Sequence, residues 1–253
     1  MLGEDSASLR PFNRHDARTL GLSALGGALE FYDFVVFVFF AKALGALFFP
    51  PGTEPWLAQL QVYGIFAAGY VARPLGGIVM AHFGDRRGRK RMFTLSVLMM
   101  SVPTLLIGLL PTYAQVGVLA PLLLLAMRLV QGIAVGGEVP GAWVFVAEHV
   151  PRRRVGIACA TLTAGLTAGI LIGSLLAAWI NANHSPAEVQ AGIWRVPFLL
   201  GGVFGFFAVW LRRWLEETPV FVEMRERKQL ARRLPVKQVL AAHRPAVLLS
   251  MLA

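Results

Sequence analysis

The chain has one cysteine, Cys159, in 253 residues, which excludes an intrachain disulfide and a multi-cysteine metal site. It is poor in charge. Asp, Glu, Lys and Arg make up 15%, against about a quarter in a soluble domain. Acidic residues are the scarcer sign, 14 against 24 basic, for a net charge of +10. There is no paired-histidine metal motif, no activated serine or cysteine constellation and no nucleotide loop, which argues against a membrane-embedded enzyme. What fills the chain is apolar, at 56% hydrophobic. The basic residues fall in blocks between apolar stretches rather than along one face of a polar domain, which argues against nucleic acid as a partner. The apolar run after the polar Met1–Arg18 segment is too long for a signal-peptide core and contains Glu30 and Asp33, so it reads as an uncleaved first helix.

Six stretches reach or approach the ~20 apolar residues of a spanning helix: Leu20–Phe48, Trp56–Phe83, Met92–Leu110, Val116–Val146, Val155–Ile180 and Val196–Leu211. The fold class expected is an all-α polytopic membrane protein. Its parts are a cytoplasmic segment over 1–19, a six-helix bundle over 20–211, a basic cytoplasmic linker over 212–244 and the start of a seventh spanning helix over 245–253, where the chain reads as cut. Pro50-Pro51-Gly52 and Pro111-Thr112 mark outer turns, and Asn181–Ile193 is the longest outer loop. Glu216–His243 reads either as helices on an anionic-lipid surface or as a solvated linker.

Charge placement sets the orientation. Arg10, Arg14 and Arg18 precede the first span, and Arg86, Arg87, Arg89, Lys90 and Arg91 lie between the second and third. Arg152, Arg153 and Arg154 lie between the fourth and fifth, and a further basic series from Arg212 to Arg244 follows the sixth. The opposite loops read as free of Lys and Arg. By the positive-inside rule the N-terminus is cytoplasmic.

Ionisable residues inside a bilayer are costly and face a cavity or a partner. The first span has Glu30 and Asp33, the second Arg73, and the fourth Arg128 and Glu138, while the third and fifth have none. That pattern separates cavity-lining helices from supporting ones. Glu30 and Asp33 are three apart and share a face. Arg73 is twelve residues before Asp85, about 18 Å along a helix, which places it near the bilayer centre. An acid beside an arginine there is either a permanent tie between helices or a switch operated by a proton or a substrate. Gly132/Gly136 and Gly137/Gly141 are small-residue pairs expected to meet the fifth helix, where Gly165, Gly169 and Gly173 recur every four residues. Glu138 is open between packing, pairing with an arginine and substrate contact. Glu148, Asp85 and Arg89 form a candidate surface charge cluster acting as a latch. His82 and His149 beside it read as solvated or capping. Trp194-Arg195 reads as an interfacial anchor.

Several ordered motifs resemble the metabolite:proton symporter family of the major facilitator superfamily. They are Gly27-Ala28-Leu29-Glu30-Phe31-Tyr32-Asp33-Phe34, then Arg73-Pro74-Leu75-Gly76-Gly77 with Gly84-Asp85-Arg86-Arg87-Gly88-Arg89-Lys90. Arg128-Leu129-Val130-Gln131-Gly132 through Gly136-Gly137-Glu138 follows, then Trp194-Arg195-Val196-Pro197-Phe198 and Glu217-Thr218-Pro219-Val220-Phe221. The resemblance implies two six-helix halves, of which this chain is the N-terminal one, and proton-coupled import by alternating access at a bacterial inner membrane. The cargo would be a small carboxylate or zwitterion; citrate, 2-oxoglutarate, shikimate, proline and betaine occur in the family. No cofactor is implied beyond the co-transported proton. The resulting candidates are Asp33 and Glu30 for proton coupling and Arg73, Arg128, Gln131 and Glu138 for substrate. Gly84, Asp85, Arg86, Gly88, Arg89, Lys90 and Glu148 form the candidate cytoplasmic gate. Membrane lipid and the missing C-terminal half are the expected partners. The alternative is a truncated membrane protein that does not transport.

Overall fold

The computed structural model describes residues 13–212 together with 214, 223 and 226. The other positions of the expected linker and all of the seventh-helix start lie outside the described residues. Within them, six helices are long and apolar enough to cross a membrane. They are α1 (Arg14–Phe39), α2 (Pro55–Arg87), α3 (Arg89–Leu109), α4 (Leu119–His149), α5 (Val155–Asn183) and α6 (Arg195–Arg212).

Local chemistry fixes the helix ends. Asn13 caps α1: its side-chain oxygen accepts from the Asp16 N–H at 2.9 Å, and the Asp16 carboxylate accepts from the Asn13 N–H at 3.0 Å. The first apolar stretch does not run unbroken to Phe48. It is interrupted at Phe40, and a separate short helix, Ala41–Phe48, follows. Pro55 opens α2 at a position where its missing N–H costs nothing. The basic stretch after α2 is barely a loop. Helix α2 continues through Arg87 and α3 begins at Arg89, so Gly88 alone carries the reversal, with φ 105° in the region that L side chains avoid.

The outer loop expected over Asn181–Ile193 is also mostly helical, with α5 continuing to Asn183. Ser185 then caps a short turn over Pro186–Glu188. Its N–H and its hydroxyl both donate to Glu188 Oε2, at 2.8 and 2.9 Å, which holds that carboxyl below its usual range.

Helices pack in preferred pairs: α1 with α5, α2 with α4, and α3 with α6 and α4. In a membrane such contacts rest on close van der Waals fit, and small residues permit it. A side chain at Gly132 or Gly136 would strike the Gly69 or Arg73 carbonyl oxygen on α2. The α4 glycines therefore seat on α2, not on α5 as their spacing had suggested. The α5 repeat seats on α1 instead, with Gly165 and Gly169 against the backbone of Ala24 and Ala28. Both stripes mark close contacts, but spacing along one helix does not say which neighbour supplies the other surface.

The two larger apolar clusters lie toward opposite ends of the core. One, at the Arg-rich end, contains Leu20, Met80, Phe93, Phe145 and Leu162. The other, at the opposite end, contains Phe37, Leu44, Phe48, Ile107 and Trp194. Trp194 is 1% exposed and meets the Phe48 ring edge-on at 5.5 Å. It is a core residue rather than the interfacial anchor its position had implied. Arg195 donates to the carbonyls of Gly108 and Leu110, at 2.8 and 2.9 Å, and so satisfies the C-terminus of α3. Arg195 and the exposed Lys42 also place basic residues at the end that had read as free of them.

Candidate functional site

One face of α1 organises the polar interior. Gly26, Glu30, Asp33 and Phe37 follow one another at helical spacing along that face. Asp33 Oδ2 accepts from Arg128 Nη1 at 2.7 Å, with side-chain exposures of 5% and 6%. The guanidinium also lies over the Phe37 ring, 3.6 Å from its centroid. The other Asp33 oxygen is 2.9 Å from the Thr104 hydroxyl of α3. Gln131 Nε2, one turn along α4 from Arg128, donates to the Thr104 oxygen at 2.8 Å. Four side chains from three helices thus form one buried hydrogen-bonded set.

This set opens on a narrow cleft lined by Glu30, Asp33, Tyr70, Arg73, Arg128 and Gln131 among others. Several buried atoms around the cleft make no hydrogen bond: Glu30 Oε2, Arg128 Nε and Nη2, and Gln131 Oε1. Arg73 is half-buried and stacks over the Tyr70 ring at 3.8 Å. It has no ion pair within 4 Å among the described residues. The cleft therefore offers two guanidinium groups with spare donors, a carboxylate with a spare acceptor and an amide oxygen. That set suits a small molecule bearing a carboxylate, since guanidinium recognises carboxylate through paired donors. A larger pocket of about 1090 Å³, lined by Lys42, Trp56 and Gln59, lies away from this cluster and shares none of its residues.

Glu138 does not line the cleft. It forms a second buried pair, accepting from Arg212 Nη2 at 2.8 Å, with both side chains 2% exposed. Arg212 also donates to the Phe93 carbonyl on α3. A side chain at Gly26 would occupy the space of the Arg212 guanidinium, so α1 is hollowed there to admit it. Arg212 had been grouped with the basic tail. It is instead the last residue of α6, turned into the bundle by its partner.

The structure thus brings together Asp33, Glu30, Arg73, Arg128 and Gln131 around the cleft, while Glu138, near Glu30 but outside the cleft lining, is paired with Arg212. Helix α3, which had seemed only supportive because its apolar stretch carries no charge, contributes Thr104 and Met100. A lone hydroxyl in an apolar run carries no sequence signal, and its four-residue reach back to its own helix explains it equally well. The candidate gate residues lie at the Arg-rich end. Gly84, Asp85 and Arg86 close α2, Gly88 links it to α3, Arg89 and Lys90 open α3, and Glu148 closes α4. The side chains of Asp85, Arg89 and His149 lie outside the described residues.

The chain matches the sugar (and other) transporter family over residues 21–243. It is 38% identical over 204 residues to the glycine betaine/proline/ectoine/pipecolic acid transporter OusA of Dickeya dadantii, covering 81% of this chain and 40% of that protein. It is 36% identical to the proline/betaine transporter of Salmonella typhimurium, covering 81% of this chain and 41% of that one. The fold is similar to that of the major facilitator superfamily proton:xylose symporter XylE of E. coli, solved with 6-bromo-6-deoxy-D-glucose. The TM-score is 0.75 at 17% identity, over 85% of this chain and 47% of that chain. The chain thus spans less than half the length of these relatives.

Proposed function

The chain belongs to the sugar (and other) transporter family of the major facilitator superfamily, and on that premise we propose that the whole protein is a proton-coupled importer of a small zwitterionic metabolite. The observation that carries this reading is the Asp33–Arg128 pair, buried yet bordering a cleft with spare donors. A buried ion pair holds while both charges are present. Protonation of Asp33 removes one charge and frees the Arg128 guanidinium for a substrate carboxylate. Substrate on Arg128 in turn leaves Asp33 without its counter-ion, which favours the proton. Proton and carboxylate therefore bind together, which is what symport requires. Glu30 supplies a second carboxylate on the same face for the cationic end of a zwitterion or for the proton. Arg73 supplies a second guanidinium for the substrate carboxylate.

Two further observations support the reading. The compounds named for the Dickeya relative carry a carboxylate and a nitrogen centre, the two chemistries that the cleft offers. The basic residues Arg86, Lys90 and Arg91 gather at one end of the bundle, which supports a cytoplasmic N-terminus in a bacterial inner membrane. Alternating access, by this reading, involves a second half beyond the present chain, with Asp85, Arg89 and Glu148 as its latch. Cysteine labelling in a Cys159→Ser background of the whole protein tests the orientation: Ser185→Cys reacts from outside and Gly88→Cys only from inside. Reaction of both from one side overturns it.

Coupling is tested by Asp33→Asn in the full-length protein reconstituted in liposomes. The variant fixes a neutral side chain of nearly constant shape. It loses accumulation driven by a pH gradient and keeps part of the gradient-free exchange. Accumulation that persists under a pH gradient alone removes Asp33 from the coupling role.

A further inference from the structure

Thr104 stands where a proton on Asp33 would be felt. Its hydroxyl has one hydrogen and two acceptors in reach, Asp33 Oδ1 at 2.9 Å and the Met100 carbonyl of its own helix at 2.8 Å. Its oxygen has two lone pairs. Gln131 Nε2 occupies one of them at 2.8 Å. All of this is buried: Thr104, Gln131 and Asp33 are 3%, 3% and 4% exposed. No bond of this group is made without a donor and an acceptor, so the polarity of the Thr104–Asp33 contact is tied to the charge on Asp33.

We propose that Thr104 is a positioning residue for the coupling acid, a hydroxyl whose donor direction reverses with each protonation of Asp33. This rests on the coupling role given to Asp33 above. While Asp33 is ionised, the Thr104 O–H donates to Oδ1, and Arg128 donates to Oδ2. When a proton from the cleft settles on Oδ1, that carboxyl O–H donates to the second lone pair of Thr104. The Thr104 hydrogen then turns to the Met100 carbonyl. Each state leaves both the Thr104 hydrogen and the proton on the acid with an acceptor, and Thr104 neither gains nor loses a proton. The protonated acid keeps its bond to α3 and no longer holds Arg128 by charge, which leaves the guanidinium to the substrate. Gln131 keeps the threonine oxygen in place through both states.

The other charged or titratable groups facing Asp33 are Glu30 and Tyr32 on α1, Arg73 on α2 and Arg128 on α4. The Tyr32 hydroxyl is committed to the Pro197 carbonyl at 2.8 Å. The membrane stretches of α3, α5 and α6 place no Asp, Glu, Lys, Arg or His at this depth. Thr104 is thus the uncharged group whose bond to Asp33 differs in kind between its two states. The bond to the ionised acid is charge-assisted and the stronger of the two.

The test separates the hydroxyl from the methyl. The Thr104 methyl packs against Gly201 on α6. Thr104→Val keeps that contact and removes the hydroxyl, whereas Thr104→Ser does the reverse. The full-length protein is reconstituted in liposomes, and uptake of radiolabelled proline or glycine betaine, whichever the wild type carries, is measured across pH. Thr104→Val moves the pH midpoint of uptake upward by about one unit, a tenfold change, because the ionised acid loses its stronger bond. Thr104→Ser keeps the wild-type midpoint. Thr104→Ala, which is smaller and inserts without overpacking, carries the same upward shift should the valine variant fail to fold. A wild-type midpoint in the variants without a hydroxyl, or a serine variant that shifts as they do, overturns the proposal. Asp33→Asn is run alongside. If it still accumulates substrate, the coupling role of Asp33 fails. If it uncouples while the midpoint of Thr104→Val is unchanged, the Thr104 assignment alone fails.

Discussion

The bundle holds two buried acid–arginine pairs of nearly equal length, 2.7 Å for Asp33–Arg128 and 2.8 Å for Glu138–Arg212, and their surroundings differ. Arg128 keeps two nitrogens without partners and borders a cleft. Its acid also has Thr104 as a neutral companion able to take over when the charge goes. Arg212 is enclosed by Gly26, Glu138 and the Phe93 carbonyl and borders no such opening. The first pair has somewhere to go when it breaks and the second does not. Burial and distance alone therefore do not distinguish a switch from a tie. Unpartnered atoms do not either, since Arg212 Nε and Glu138 Oε2 are also without partners; the cleft beside Arg128 does.

The largest effect that would break this contrast is on stability. Arg212→Gln leaves Glu138 charged and enclosed, a cost of about 3–5 kcal/mol. The variant is expected to lose most of its folded yield and to denature well below the wild type in detergent. The paired change Glu138→Gln with Arg212→Met removes both charges and recovers most of that loss. If the single variant is as stable as the wild type, Glu138 has another partner and the two pairs are alike. A smaller effect on folding, but a clear one on activity, is expected at the open pair. Arg128→Lys keeps the charge beside Asp33 and a near-wild-type denaturation midpoint. It loses the planar pair of donors, and substrate uptake falls about 10–100-fold. Undiminished uptake would remove Arg128 from the substrate site and leave its pair as a second tie.

Much of the scaffold is legible before any coordinates. Hydropathy marks the six spans, because a lipid-facing helix is apolar around most of its circumference and contrasts with its basic flanks. The intramembrane charges point to Glu30, Asp33, Arg73 and Arg128, which do converge. What escaped notice shares a physical cause. Thr104, Arg212 and Arg195 act through partners 71 to 119 residues away in sequence. No local period reports such a meeting. Arg212 looked like one more basic residue of a tail because its charge is the same inside or outside. The break at Phe40 was hidden for a different reason. No Gly or Pro accompanies it, so local propensity favours an unbroken helix there.

The main chains of α2 and α4 touch at both arginines. Gly69 sits against the carbonyl of Arg128, where an added Cβ would lie 3.0 Å from the oxygen, and Gly136 sits against the carbonyl of Arg73. Each cation is thus rooted at a point where the opposite helix cannot move closer. The two arginines behave as one fixed jaw of a caliper, with a gauge set by backbone contact rather than by flexible side chains. The acids ride on α1, whose own close seam is with α5, so they form the opposite jaw. On the proposed function, a cargo molecule would be measured against the stationary arginines while the helix opposite carried the proton.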